Sequence, residues 1–313
     1  MDINKNISNN NSFEDEINIK ELFIALWSKK YLIVSFTSIF AILGILYSLS
    51  LPNIYTSKSL LAPMAENDSL TSKLGNISSF AAVGGINLPS SQSDKTKEAL
   101  ARIKSFEFFS NHFLPNIKLE NIIASKKWLS DKDKLIYDKN LFDIETRTWI
   151  QNDSNASYSS PTDQQAFKAY KEKISITIDP DTSYITISAD HHSPKVAKDW
   201  VNLIIFQINE SMRKIDAEDA ERSIIFLNDS SNKTNVQSLR EAYSTLLEEQ
   251  IQILMLSASS KYYVLKVIDS PIVPELKSKP NRTLICIVIT LVGGFMSIFI
   301  ALFQHYRKSI DLL

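Results

Sequence analysis

The chain has 313 residues, more than one small core needs and enough for a domain with additional segments. Its 34 basic and 35 acidic side chains leave a formal charge of −1, without the basic footprint that nucleic-acid partners leave, so no nucleic acid is expected. One cysteine, Cys286, excludes an intrachain disulfide and a Cys-rich zinc site; inside an apolar run it reads as a small buried hydrophobe.

Residues 1–30 form an N-terminal segment. Its first thirteen positions are rich in Asn and Ser and read as disordered. EINIKELFIALWSKK follows, with Ile19, Leu22, Phe23, Leu26 and Trp27 on one helical face, a short amphipathic lead whose Trp27, Lys29 and Lys30 suit a headgroup boundary. Residues 31–51 carry no charge and are long enough to span a bilayer, as are residues 283–303. The first run starts too late, is too long and lacks the small-residue site of a cleavable signal peptide. Lys20, Lys29 and Lys30 before the first span, and Arg307 and Lys308 after the second, place both termini in the cytoplasm. The domain between the spans then lies outside it, and residues 304–313 are a cytoplasmic tail.

Residues 52–193 are expected to make the first part of an α/β base domain. Residues 55–61 read as a strand leaving the membrane, 75–89 as a Gly/Ala/Ser-rich excursion, 98–113 as a helix, 153–161 as a polar loop and 164–173 as a further helix. ISITIDPDTSYITISAD alternates apolar and polar residues on both sides of Asp179-Pro180-Asp181-Thr182-Ser183, the chemistry of a β-hairpin with one apolar face. Ser193 as N-cap and Pro194 in the first turn start a long helix, and Ala197, Val201, Ile204, Ile208, Met212 and Ile215 recur at steps of three and four, to about Leu227.

The polar patch 228–235 follows, and then Val236, Leu239, Tyr243, Leu246, Gln250 and Ile253 at helical spacing. A strand at 262–268 has to return toward the second span, so residues 194–260 read as a helical hairpin with its tip near 229–235; a continuous helix is the alternative, because the patch holds neither Gly nor Pro. Such thin apolar stripes also leave surface for oligomerisation. Residues 261–282 combine the return strand with a connector in which Pro271, Pro274 and Pro280 sit on the three-residue period of polyproline II. Within the spans, Thr37, Ala41, Gly44 and Ser48, and Gly293, Ser297 and Ala301, make stripes of small side chains suited to close helix contact. The fold class is an α+β membrane protein: two spans, an α/β base and a protruding helical hairpin.

No catalytic, cofactor-binding or metal-ligating constellation stands out. G-x-x-x-x-G-K-[ST], H-E-x-x-H and G-x-S-x-G do not occur. Asp179 and Asp181 read as turn residues, and Asp131 and Asp133 as part of a charged surface stretch, rather than as the acid pair of a glycosyltransferase. His191 and His192 are adjacent and in an extended segment point to opposite faces, which does not suit one metal ion. A two-span sensor would need an output domain after the second span.

In this order the segments resemble the Wzz-type chain length determinants, or polysaccharide co-polymerases, and most nearly the FepE-like regulators of lipopolysaccharide O-antigen. EINIKELFIALW resembles the family's cytoplasmic lead, with Asn18 where an Asp is usual. LGNISSFAAVGGINL resembles its small-residue segment, HHSPKVAKDWVNLIIFQIN the start of its long helix, and VIDSPIVPELKSKPNR before a Gly293-Gly294 span its Pro-rich signature, with Lys277 in place of a further Pro. The resemblance implies an inner-membrane protein with a periplasmic domain, a homo-oligomer without enzymatic activity, which sets the number of repeat units added by a Wzy-type polymerase. It implies the growing polysaccharide as a further partner, beside the lipid bilayer. A capsule or exopolysaccharide co-polymerase is the alternative.

Overall fold

A computed structural model describes residues 26–64, 92–150 and 160–310. The lead before residue 26, the excursion at 75–89 and most of the loop at 153–161 lie outside the described residues. The chain divides into two units, one made of Met1–Leu51 with Pro280–Leu313, the other of Pro52–Lys279.

The first unit is a pair of helices, α1 (Lys30–Ser50) and α7 (Arg282–Ile310). Both contain stretches long and apolar enough to cross a membrane, Lys30–Ser50 and Arg282–Gln304. Their outward faces are apolar and exposed, with Val34, Leu46, Phe295 and Phe299 among them. That pattern inverts the one a soluble core helix shows.

The second unit is built on a four-stranded antiparallel sheet of order β6-β7-β1-β8. β1 is Tyr55–Pro63, β6 Ile174–Ile178, β7 Ile185–His191 and β8 Leu265–Asp269. Alternation on β7 buries Ile185, Ile187, Ala189 and His191. The turn between β6 and β7 is closed by Asp179, whose Oδ1 accepts from the backbone N–H of Asp181 (2.9 Å) and Thr182 (3.2 Å), while Ser183 takes a positive φ of 59°. Between β1 and β6 lie α2 (Gln92–Ile103), α3 (Leu119–Ile123), two small hairpins and α4 (Asp163–Lys173). The small hairpins are β2–β3 (Ser125–Leu129 with Lys134–Tyr137) and β4–β5 (Phe142–Asp143 with Thr148–Trp149). α4 begins in a capping box, Thr162 with Gln165.

The single helix expected over 98–113 is interrupted. Ser105 is extended (φ −80°, ψ 155°) and its hydroxyl accepts from Phe108 N–H at 3.1 Å, which starts a new turn. A π turn, Phe109–Phe113, follows. Its wider winding brings Phe108, Phe109 and Phe113 all into the core, where the last two meet Tyr170 at ring distances of 5.2 and 4.8 Å. The Tyr170 hydroxyl, fully enclosed, donates to Ile103 O at 2.9 Å, and burial raises its pKa.

α5 (Pro194–Lys233) lays its first turns over the sheet, burying Trp200, Val201, Ile204, Ile208 and Met212. Each such side chain contributes about 1.5–3 kcal/mol of burial. Ser193 occupies the N-cap position, but its hydroxyl makes no capping bond. Its backbone N–H donates instead to His191 Nδ1 at 2.9 Å, and Pro194 at the first position lacks the N–H that would need a partner.

With 40 residues α5 is about 60 Å long, longer than the roughly 50 Å expected. The polar patch does not end it, because Asp229 and Lys233 pair at i,i+4 (2.5 Å). The break comes at residues 234–236, where Thr234 and Val236 are both extended. Thr234 holds the corner, accepting from Val236 N–H through Oγ1 (3.3 Å) and from Arg240 through its carbonyl (3.0 Å). α6 (Gln237–Ser259) then packs back along α5, burying Leu246 and Gln250 on the expected face while Val236 stays exposed. The stretch from residue 194 is therefore a broken hairpin, not one continuous helix.

Candidate membrane-pair and connector site

The two small-residue stripes meet each other. In α7, Gly293, Ser297 and Ala301 are buried, and in α1, Gly44 and Ser48 are, with Thr37 and Ala41 half-buried beside them. A Cβ on Gly293 would lie 2.4 Å from Phe40 Cβ, and one on Gly44 would lie 3.1 Å from Ile289 Cγ2. Only glycine admits Phe40 at the first position, and the second is tight. Thr37 and Ser297 hydroxyls lie 3.5 Å apart across the pair, and Ser297 donates to Gly294 O at 2.7 Å. At the end of the pair, Arg282 donates to Leu51 O at 3.4 Å. The Gly293 stripe is thus taken up by the chain's own first helix, and a partner in the bilayer would meet the exposed opposite faces.

In the second unit the connector does not stand free as one polyproline rod. It bends at residues 275–276, between Pro274 and Lys277. On both sides of the bend it is fastened to β1 by hydrogen bonds, in line with β8. Ser59 donates to Asp269 O (2.6 Å) and Ser57 to Ile272 O (2.8 Å). Ile54 exchanges backbone bonds with Ser278 and Lys279, and Lys279 pairs with Asp190 (2.6 Å). Pro271 is buried, Pro274 and Pro280 are half-buried, and Ile272 and Leu276 are exposed. The residues that fix the connector's path are therefore Ser57 and Ser59, which look like ordinary alternating strand positions in the sequence. Pro271, Pro274 and Pro280 remove donors that the connector would have to satisfy.

Two further polar fixtures set the base. Asn209, buried in α5, accepts through Oδ1 from the N–H groups of Tyr263, Val264 and Leu265 (2.9–3.1 Å) and donates to Ile205 O and Leu265 O. His191 accepts from Ser193 N–H at Nδ1, so its proton sits on Nε2 and reaches Asn121 O at 2.9 Å. Burial lowers the His191 pKa to about 3, and burial lowers that of His192 to about 4. His191 is structural in this arrangement, His192 Nδ1 is enclosed without a partner among the described residues, and Asp179 serves its turn. Asp133, at a positive φ of 45°, follows the short turn between β2 and β3.

A sheet whose first strand leaves one apolar helix and whose last connector leads into the other, with a long helical hairpin inserted before that return, defines the class: an α+β protein with two candidate membrane helices. Residues 15–106 match the family model described as chain length determinant protein, Wzz. Residues 232–306 match the model described as G-rich domain on putative tyrosine kinase, GNVR. The chain therefore carries the Wzz chain length determinant domain. No curated protein matches the sequence. Among solved structures, a full-length bacterial polysaccharide co-polymerase aligns over 93% of this chain and 99% of its own, at 12% identity and a TM-score of 0.40. A fragment of WzzB, a polysaccharide co-polymerase from Salmonella Typhimurium, aligns over 72% of this chain and 100% of its own, at 13% identity and a TM-score of 0.32. At those scores neither likeness carries the assignment, which stands on the family match.

Proposed function

We propose that this protein is a non-enzymatic regulator of O-antigen chain length in the bacterial inner membrane, of the FepE-like kind, with both termini cytoplasmic and residues 52–282 in the periplasm. It acts as a homo-oligomer, a scaffold on a Wzy-type polymerase. The observation that carries this reading is the chain length determinant match over residues 15–106, which takes in the first candidate span and β1. The apolar side chains left exposed on the helical hairpin, Phe206, Ile225, Phe226 and Met255, support assembly with further copies. The exposed faces of α1 and α7 leave room for a polymerase in the bilayer.

The lipopolysaccharide ladder on a silver-stained gel, with and without the gene, tests it. Loss of the preferred band cluster with polymer still made supports length control; an unchanged ladder counts against it. A residue-level version uses the helix pair. Gly293→Leu should broaden the ladder, because the new side chain collides with Phe40. Phe40→Ala in the same chain should restore it; an unchanged ladder at normal expression removes the helix pair from the mechanism. A capsule or exopolysaccharide co-polymerase is the second reading, favoured by the GNVR match at 232–306. Loss of capsule with an intact lipopolysaccharide ladder would select it.

A further inference from the structure

The second unit holds a cavity of about 580 Å³, within the roughly 300–1,000 Å³ of small-molecule sites. It lies where the β2–β3 hairpin faces α3 and the first turns of α5. We propose that this cavity is a saccharide-binding site, with Trp128 as its stacking platform and Asp199 and Asn121 as its hydroxyl-binding groups.

The lining is mainly apolar, with Ile117, Leu135, Val196 and Leu203 beside Trp128, and carries polar groups around it, a combination that matches the apolar face and the hydroxyl edge of a sugar ring. Trp128 is half-buried and tied at its edge, since its indole N–H donates to Asp133 Oδ1 at 3.1 Å. Lys195 pairs with the same carboxylate. The ring of Tyr55 meets Trp128 at a right angle, 5.5 Å between centroids, which fixes its tilt. An indole fixed at its edge keeps its orientation when a ligand arrives, which lowers the ordering cost of binding. The electron-rich face of an indole suits the electron-poor C–H face of a pyranose ring.

Around it stand planar polar groups, which suit paired hydroxyls. Asn121 accepts from the Tyr137 hydroxyl at 2.7 Å through Oδ1, which leaves its amide N–H groups to donate. Asp199 lines the cavity, is exposed, and has no ion pair or hydrogen bond among the described residues. The lysines 118 and 134 on the rim are likewise without an ion pair among the described residues, and would accept an acidic sugar. Trp200 also lines the cavity, itself packed edge-on against His191 (4.8 Å) and Phe113 (5.7 Å). The His191–Asn121 bond therefore ties this wall of the cavity to the sheet. The saccharide class follows from the lining; that the sugar belongs to the polymer whose length is set rests on the reading proposed above.

The test is saturation-transfer NMR on the full-length protein in detergent, with delipidated surface polysaccharide of the source strain as the probe and a glucan oligomer as the comparison. Asp199→Asn and Trp128→Ala are measured beside the wild type, with thermal unfolding to verify the fold. The Asp199 variant should keep its unfolding midpoint, since the side chain is exposed and unpaired. Binding of the polymer that weakens at least about tenfold in Trp128→Ala, and more mildly in Asp199→Asn, bears the proposal out. Binding that both variants retain in full places the sugar elsewhere and overturns it. No binding by the wild type, where deletion of the gene still abolishes the preferred length, overturns the cavity and leaves length control standing. Variant-sensitive binding with an unchanged ladder on deletion keeps the cavity and sinks the O-antigen reading.

Discussion

Asn209 and His191 in the base and Glu249 in the helical hairpin are buried in opposite ways, although His192 Nδ1 and Ser125 Oγ in the base are also enclosed without a partner among the described residues. In the base, Asn209 satisfies three N–H groups and two carbonyls, and both ring nitrogens of His191 are engaged. In the hairpin, Glu249 is 4% exposed, and neither carboxylate oxygen has a hydrogen-bond partner among the described residues. Two long helices make a thin core, so a polar side chain at the seam is enclosed without a third element to meet it. Asn209 and His191 therefore rest on contacts within the base, whereas Glu249 carries an uncompensated cost in a hairpin that also exposes Ile225 and Met255.

The sharpest way to break this contrast is to remove the clamp. Asn209→Leu strips the N–H groups of Tyr263, Val264 and Leu265 of their shared acceptor and should cost about 4 kcal/mol, since each orphaned buried group costs about 1–3. Denaturant unfolding of the full chain in detergent, followed by tryptophan fluorescence, reads it, because Trp200 is buried in the base. A loss under about 1 kcal/mol would mean that packing rather than the clamp holds the return strand.

Much of this architecture was legible in the sequence. Uncharged runs, the alternation around Asp179 and the periodic stripe from Ala197 each reflect a local period, and the structure has helices or strands there. What failed to show were features whose cause lies far along the chain. Ser105 ends a helix that periodicity extends, because three phenylalanines need one face. Ser193 keeps its place at the helix start, but its N–H turns to a histidine two residues back. The β2–β3 hairpin carries SKKWL and KLIY, too charged to alternate visibly, and so the cavity beside it was not visible either. The connector's prolines were conspicuous, and the strand serines that fasten it were not.

Acid should separate the two regions next most strongly. His191 binds its proton far less readily folded than unfolded, its pKa falling from 6.5 to about 3. Between those values the unfolded chain holds more protons, so stability is fully present above pH 6.5 and is lost as the pH falls toward 3. By pH 5 the loss should reach about 2 kcal/mol, from 1.36 kcal/mol per pH unit. Protonation would also turn Nδ1 from acceptor to donor against Ser193 N–H and set a charge beside Lys173. Glu249 runs the other way. Burial raises its pKa, so the hairpin is favoured at low pH and loses that contribution as the pH rises through the raised value. Hydrogen exchange from pH 7 to 5, corrected for intrinsic rate, should show β7 opening while α6 does not. Parallel loosening of both would remove the distinction.

The smallest effect is the most discriminating. Glu249→Leu removes an enclosed carboxylate and should stabilise the hairpin by about 1 kcal/mol. Leu and Glu have nearly equal helix propensity, so the change reads the environment of the site and not the backbone. Glu249→Gln discards the charge and keeps the polar atoms, so it should recover only part of that gain. Slower exchange in α6 of the leucine variant, under conditions where sedimentation finds the wild type assembled, would mean that the carboxylate stays unmatched even with neighbours present. Faster exchange would mean that assembly supplies Glu249 with a partner, and the hairpin's apparent deficit would then be a docking determinant satisfied only between copies.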